Sequence, residues 1–155
     1  MQGPLPDMRQ CANLKDFYWF KNGVGINHLK GRGLYGTDEM ISLPLSPLRK
    51  LESLSIMGGA LDSSDFLASM TNLRNLHLSC DFENFPVGFE KLIKLEVINI
   101  WGAKSLTSLP EYLGLMPSLK RLRLTACGVK SLPKSVRERE DLDIDVSYCP
   151  VKWPE

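Results

Sequence analysis

The six residues from Gly31 to Gly36 read GRGLYG and have the GxGxxG spacing of a phosphate-binding glycine loop. Such a loop binds a dinucleotide only where a strand precedes it and a helix begins within it, inside a βαβ unit of about 30 residues. Here Leu34 has the spacing of the leucines that follow it, and the next apolar pattern downstream is again strand-like. We therefore interpret these glycines as turn residues and predict no cofactor.

Asp143 and Asp145 are two carboxylates whose i, i+2 spacing would place them on one face of a strand, as general acid–base catalysis could require. Arg121 and Arg123 have the same spacing 22 residues earlier. If the strands stack in register about 4.8 Å apart, these opposite charges face each other and ion pairs are favoured. Since no GxSxG, HExxH or Cys/His/Asp arrangement is present either, we predict that the protein is not an enzyme.

Four cysteines and two histidines are the other side chains that could bind metal or react. The sequence has no CxxC pair and no Cys/His cluster with zinc spacing, so we predict no metal site. The cysteines Cys11, Cys80, Cys127 and Cys149 are interpreted as reduced structural thiols rather than as disulfides. His77 projects outward by its place in the strand pattern, which favours an ordinary surface histidine over a ligand.

The elements that position these residues follow a repeat. Segments of the form LxxLxL begin at Leu51, Leu73, Leu95 and Leu119. Their starts are 22, 22 and 24 residues apart, and such a period is typical of a leucine-rich repeat with one short strand per unit. On a helix Leu122 and Leu124 would lie nearly opposite each other, whereas on a strand they share a face. The sequence therefore predicts an α/β leucine-rich-repeat solenoid, with a parallel sheet on the concave face and irregular, 3₁₀ or short helical segments on the convex face.

The repeats set the expected domain limits. We predict one domain, with an N-terminal strand and cap in residues 1–28, about five to six repeats of 22–24 residues in 29–149, and a C-terminal cap in 150–155. Because Leu29 precedes Leu51 by 22 residues, the strands of these two repeats are expected to be neighbours.

The convex side offers one good candidate for a helix. The segment DSSDFLASM, from Asp62 to Met70, has an apolar pattern with helical spacing, and Ser63 or Ser64 could cap its first turn.

Composition and charge favour a chain that binds neither nucleic acid nor membrane. The net charge is +1, with 43% apolar and 24% charged residues among 155. No apolar run approaches the roughly 20 residues of a membrane-spanning helix, and the first ten residues lack the pattern of a signal or transit peptide. Together these features favour a cytoplasmic or nuclear setting, and we predict a cytoplasmic protein.

Cys127 and Cys149 follow their strands at the position where LxxLxLxxN/C repeats place an inward asparagine or cysteine, and we expect both thiols to be buried. Cys80 falls one residue before that position. The irregular repeat lengths, these cysteines and the phrase LEVINIWGAKSLTSLPEYLGLMPSLKRLRLTAC resemble the leucine-rich-repeat region of plant intracellular NB-LRR disease-resistance receptors. The resemblance extends over roughly Leu29 to Glu155 and implies a cytosolic recognition and autoinhibition module.

The 155 residues contain no GxxxxGK[ST] motif of a nucleotide-binding domain. The chain is therefore expected to be the terminal fragment of a receptor, or a short relative. A free-standing leucine-rich-repeat adaptor without an immune role is the alternative, and an enzyme is a remote third.

The outward residues of the strands predict the binding surface. By parity they form three columns, which run from Gly31 to Asp143, from Gly33 to Asp145 and from Tyr35 to Ser147. Tryptophan and arginine are enriched at binding hot spots, so these columns predict a partner-contact patch. Its residues are Trp101, Arg121, Arg123, His77, Met57, Tyr35, Asn99, Asp143 and Asp145. The expected partner is a pathogen effector, a host protein or the receptor's own domains, and the isolated domain is expected to be a monomer. Burial of Trp101 by a neighbouring loop is the alternative for that residue.

Overall fold

The computed structural model describes residues 16–21, 33–36, 49–60 and 65–152. In this part of the chain one sheet contains seven strands, all paired in parallel, in the order β2-β1-β3-β4-β5-β6-β7. The strands are Asp16–Lys21 (β1), Gly33–Gly36 (β2), Ser53–Ala60 (β3), Asn75–Asp81 (β4), Val97–Trp101 (β5), Arg121–Thr125 (β6) and Asp143–Asp145 (β7). Between strands lie the 3₁₀ helices Asp65–Ser69 and Phe89–Lys91 and the α-helices Tyr112–Leu115 (α1) and Lys134–Arg137 (α2). The predicted leucine-rich-repeat solenoid is confirmed.

The first strands are arranged differently from the prediction, because β1 lies between β2 and β3. Phe17 and Trp19 of β1 are level with Leu54 and Ile56 of β3, so β1 continues the apolar pattern of the next strand. In the sequence, the residue before β2 is Arg32, where the pattern calls for leucine, and glycine at both ends of β2 weakens a strand.

The strands alternate as the two-residue period predicts. In β6, Leu122 and Leu124 are fully buried, while Arg121 and Arg123 are exposed. From β3 to β6 the inward residues of successive strands stack on each other and form a continuous core. They are Leu54, Ile56, Leu76, Leu78, Ile98, Ile100, Leu122 and Leu124.

The return segments share a turn that begins at proline. In three consecutive coils the residue three positions after the proline is fully buried, and its N–H donates to the proline carbonyl at 3.1–3.2 Å. The pairs are Pro86 and Phe89, Pro110 and Leu113, and Pro133 and Val136. Proline lacks an N–H and fixes φ, so it starts this turn without losing a hydrogen bond.

The helix expected from Asp62 to Met70 is a 3₁₀ helix of five residues, Asp65–Ser69, and its predicted caps Ser63 and Ser64 lie outside the described residues. A 3₁₀ helix rises about 2.0 Å per residue, against about 1.5 Å in an α-helix. It therefore spans the convex side with fewer residues before the next strand begins.

A left-handed residue recurs at one position in four of the five coils from β3 to β7. Two residues after the last inward apolar residue, φ is positive at Gly58, Gly102, Ala126 and Tyr148. In β4, Cys80 takes this position and is buried, and the register shifts against β3.

Side chains also join one coil to the next. The Glu111 carboxylate accepts the N–H groups of Lys134 and Ser135 at 3.3 and 3.1 Å, so it caps the first turn of α2 from the preceding coil. A hydrogen bond from the Ser135 side chain, together with these backbone bonds, holds the pKa of Glu111 below its usual value. Arg139 occupies the place in its coil that Met116 has in the previous one, and it donates to backbone carbonyls of that coil.

Candidate functional site

The sheet face from β3 to β7 carries the outward columns in the predicted register. Ser55, His77, Asn99, Arg123 and Asp145 are successive neighbours across five strands. The column on one side runs through Ser53, Asn75, Val97, Arg121 and Asp143, and the column on the other side contains Met57, Ser79, Trp101 and Thr125.

At the other end of these columns, Gly31 lies outside the described residues. Tyr35 is level with Phe20 of β1 rather than next to Met57. The predicted column therefore does not run directly from Tyr35 to Met57, because β1 lies between their strands.

Trp101 ends β5 and is 59% exposed. The alternative in which a loop covers it is therefore wrong for the described part of the chain. Thr125 is its neighbour on β6, and the following Gly102 donates its N–H to the Thr125 carbonyl at 2.9 Å. The end of β5 thus presents a large aromatic side chain to solvent.

The two arginine–aspartate pairs behave differently. Arg121 Nε donates to Asp143 Oδ2 at 3.0 Å, as predicted. Arg123 and Asp145 are also level with each other, but no ion pair joins them. Asp145 instead accepts the N–H and the hydroxyl of Ser147 at 3.1 and 2.5 Å, because this turn offers two donors close to its own backbone. Arg123 is exposed and has no partner among the described residues, so the prediction is wrong for this pair.

His77 and Asn99 form a polar pair in the middle of the face. Asn99 Nδ2 lies 3.4 Å from His77 Nδ1. This ring nitrogen accepts a hydrogen bond from Asn99 when it carries no proton. Desolvation lowers the pKa of His77 from 6.5, which favours the neutral ring. Asn99 Oδ1 is buried and accepts no hydrogen bond from the described residues. Met57, further along the face, is 37% exposed.

Cys127 is buried as predicted, whereas Cys149 is only partly buried, so the expectation of two buried thiols is correct for Cys127 alone. The N–H of Cys127 donates to Cys149 Sγ at 3.4 Å, and Cys127 Sγ lies 3.6 Å from the Ile100 carbonyl oxygen. Burial raises the pKa of the Cys127 thiol to about 11 and that of Cys80 to about 12. Cys80, Cys127 and Cys149 are free thiols, and Cys11 lies outside the described residues.

Asp81 is a residue that the sequence pattern missed. It is the last residue of β4 and lies three residues after the inward Leu78, as Cys127 does after Leu124. Its two carboxylate oxygens accept the N–H and the hydroxyl of Ser105 at 2.8 and 2.7 Å. These two bonds hold the pKa of Asp81 below its ordinary value of 3.8. The carboxylate therefore ties the end of β4 to the turn after β5.

Asp81→Asn is expected to destabilise the protein at about pH 7, because an amide offers one acceptor oxygen to two donors. A carboxylate with a lowered folded pKa contributes stability above its unfolded pKa and loses it as pH falls through the folded pKa. The difference in free energy of unfolding between wild type and variant should therefore become smaller as the pH falls below 3.8, the ordinary pKa of an aspartate. Urea unfolding across a pH series measures this difference, and a pH-independent difference would count against the role of Asp81.

The glycine motif and the catalytic alternatives find no support in the described residues. Gly33–Gly36 forms the edge strand β2, so no helix begins there as a dinucleotide loop requires, and these two glycines are not turn residues either. The residues that the structure describes contain no group of three or more His, Cys, Asp or Glu that could hold a metal ion. Within the same residues, no helix has the length and apolar character needed to cross a membrane.

The fold and its open face define a leucine-rich-repeat solenoid. The Leptospira interrogans LRR protein LIC12759 has the same fold, with a TM-score of 0.73 and 20% identity over 98% of this chain and 42% of that chain. In sequence the chain is similar to the Arabidopsis thaliana "Probable disease resistance protein At1g15890", with 34% identity over 73 residues, or 47% of this chain and 8% of the relative. No protein-family model matches the chain. The resemblance to the leucine-rich repeats of plant disease-resistance proteins is thus confirmed, over a small part of the relative's length.

Proposed function

We propose that the chain is a non-enzymatic protein-recognition module, the ligand-sensing and autoinhibitory leucine-rich-repeat region of a plant-type intracellular (NB-LRR) immune receptor that acts in the cytoplasm. The proposal rests on the exposure of Trp101 on the sheet face. Trp101 ends β5, and the neighbouring strand β6 carries Arg123, which has no ion-pair partner among the described residues. The similarity to a plant disease-resistance protein supports the immune role.

The sheet suits recognition because its outward side chains are held by a fixed register. Five strands from β3 to β7 span about 19 Å at 4.8 Å per step, which fits a modest interface. A pathogen effector or a host protein could compete on this face with the receptor's own domains. The ligand would then relieve autoinhibition to the extent that it binds the released state more tightly.

Trp101→Ala and Arg123→Gln are each expected to weaken partner binding by about 2 kcal/mol, roughly thirtyfold, as at other hot spots. Both side chains are exposed, so the variants should keep the wild-type melting temperature. Calorimetric titration of the receptor's nucleotide-binding region, or of an effector, measures the loss. The control is Val87→Ser, which alters a 92% exposed residue in a return segment. Unchanged affinity in both face variants would refute the assignment of this surface.

The immune role has a separate test in the native transcript. If a nucleotide-binding ATPase domain is encoded in frame upstream of Met1, the receptor proposal is supported. Expression of the chain from its own start codon without such a domain would instead support the adaptor alternative.

A further inference from the structure

A second exposed aromatic residue lies near Trp101, at the same end of the strands. Tyr148 follows β7, is 89% exposed and has φ 58. Its left-handed conformation is a feature of the repeat, because Gly102 and Ala126 have positive φ at the equivalent position of the two preceding coils. Tyr148 and Trp101 are two coils apart, about 10 Å at the usual strand spacing.

The surface between the two aromatic residues is made of small side chains. Thr125 and Ala126 occupy the intervening coil, and a Cβ added at Gly102 would meet no atom within 4 Å. Two exposed aromatic residues therefore lie one coil to either side of these small residues, which leaves room for an extended chain between them.

The same edge is basic. The segments that follow β5, β6 and β7, residues 102–110, 126–135 and 146–152, contain lysines and no aspartate or glutamate of their own. Asp81 of β4 reaches the first segment, where it accepts hydrogen bonds from Ser105 and interacts with the charge of Lys104. Lys104, Lys130 and Lys152 are exposed in these three segments, and Lys152 lies directly above Lys130, since its N–H donates to the Lys130 carbonyl at 2.9 Å. Arg123 adds a positive charge on the middle strand that no described carboxylate neutralises by an ion pair.

These residues define the basic aromatic edge: Trp101, Lys104, Arg123, Lys130, Tyr148 and Lys152. We propose that it binds an acidic, extended segment of the partner protein, with a carboxylate on the Arg123 guanidinium and apolar or aromatic side chains against Trp101 and Tyr148. The inference rests on the proposed recognition function and specifies the chemistry of the partner. Arginine binds carboxylates through two parallel hydrogen bonds, which gives the site geometric selectivity.

A polynucleotide fits this surface less well than an acidic peptide. Its regularly spaced phosphates would have to pass Asp143 and Asp145, which lie on the neighbouring strand of the same face. A peptide can place one carboxylate on Arg123 and neutral residues beside those aspartates. Charge complementarity therefore favours a protein partner.

Selection of a displayed random dodecapeptide library on the wild-type chain tests the inference. The recovered peptides are expected to carry aspartate or glutamate next to aromatic residues or proline. Their synthetic versions, measured by fluorescence anisotropy, should bind about tenfold more weakly to Arg123→Gln and Tyr148→Asn. Asparagine tolerates the left-handed conformation, so the Tyr148 variant should remain folded. Val87→Ser serves as the control and should bind like wild type.

The opposite results would overturn the inference. Recovery of no peptides, of peptides without carboxylates, or of peptides insensitive to Arg123→Gln contradicts it, as does tighter binding of poly(U) RNA in the same assay. A concentration-dependent dimer in sedimentation that Arg123→Gln abolishes would assign the edge to a second copy instead. Neutral peptides that still require Trp101 would refute the acidic partner while leaving the proposed recognition function intact.

Discussion

Gly128→Ala is expected to lower the free energy of unfolding by about 3 kcal/mol or more, the upper range for overpacking. A Cβ at Gly128 would lie 2.1 Å from the carbonyl oxygen of Lys104 and 3.0 Å from its carbonyl carbon. Both are backbone atoms of the preceding coil and cannot rotate away. The two coils would have to separate, which would weaken the bond from Gly128 N–H to the Ala103 carbonyl, now 3.0 Å long.

Gly102→Ala is the matched control for this substitution. Gly102 has φ 75, but an added Cβ meets no atom within 4 Å, so only the left-handed conformation costs energy, about 1–2 kcal/mol. Urea unfolding of both variants separates the steric clash from backbone strain. If Gly128→Ala were as stable as Gly102→Ala or more stable, the two coils would not approach each other closely at Gly128.

Arg139→Gln is expected to destabilise the protein by about 3 kcal/mol, because several charge-assisted hydrogen bonds are lost at once. The guanidinium of Arg139 donates to the carbonyls of Gly114, Met116 and Leu119 at 2.8–3.1 Å, and it pairs with Asp141 at 2.6 Å. The side chain is 19% exposed. Removing it leaves three carbonyls of the preceding coil without this donor.

Thermal unfolding measures the effect, which for a chain of this size is about 2–4 °C per kcal/mol. Lys134→Gln is the control, since the Lys134–Glu138 pair is exposed and 3.6 Å apart and such pairs contribute little. A melting temperature of Arg139→Gln equal to that of the control would show that Arg139 does not join the two coils.

The repeat spacing predicted the architecture from β3 to β7 because alternate residues of a strand point to opposite faces of the sheet. Once Leu122 and Leu124 point inward, Arg121 and Arg123 must point outward, and stacked coils align every column. The Cys127 and Cys149 positions followed from the same spacing, since each thiol lies three residues after an inward apolar residue.

Other features depend on contacts that spacing does not encode. The predicted ion pair between Arg123 and Asp145 is wrong because the N–H and hydroxyl of Ser147 bind the Asp145 carboxylate instead. The position of β1 between β2 and β3 depends on which of the first two strands pairs with the edge of β3. The repeat spacing does not determine this pairing. Arg139 stands at a position that is apolar in earlier coils, and its charge alone gives no sign that it binds carbonyls. Tyr148 was overlooked because one exposed tyrosine near the end of a chain is common.

Hydroxyl-radical labelling of the free chain and of its complex with a purified partner tests the central claim most directly. The proposed recognition surface predicts that labelling of Trp101 falls strongly in the complex, because its indole, 59% exposed in the free chain, becomes covered. Labelling of Val87 and Leu115, which are exposed in the return segments, should stay unchanged. Unchanged labelling of Trp101 with protection of the return segments would contradict recognition by the sheet face.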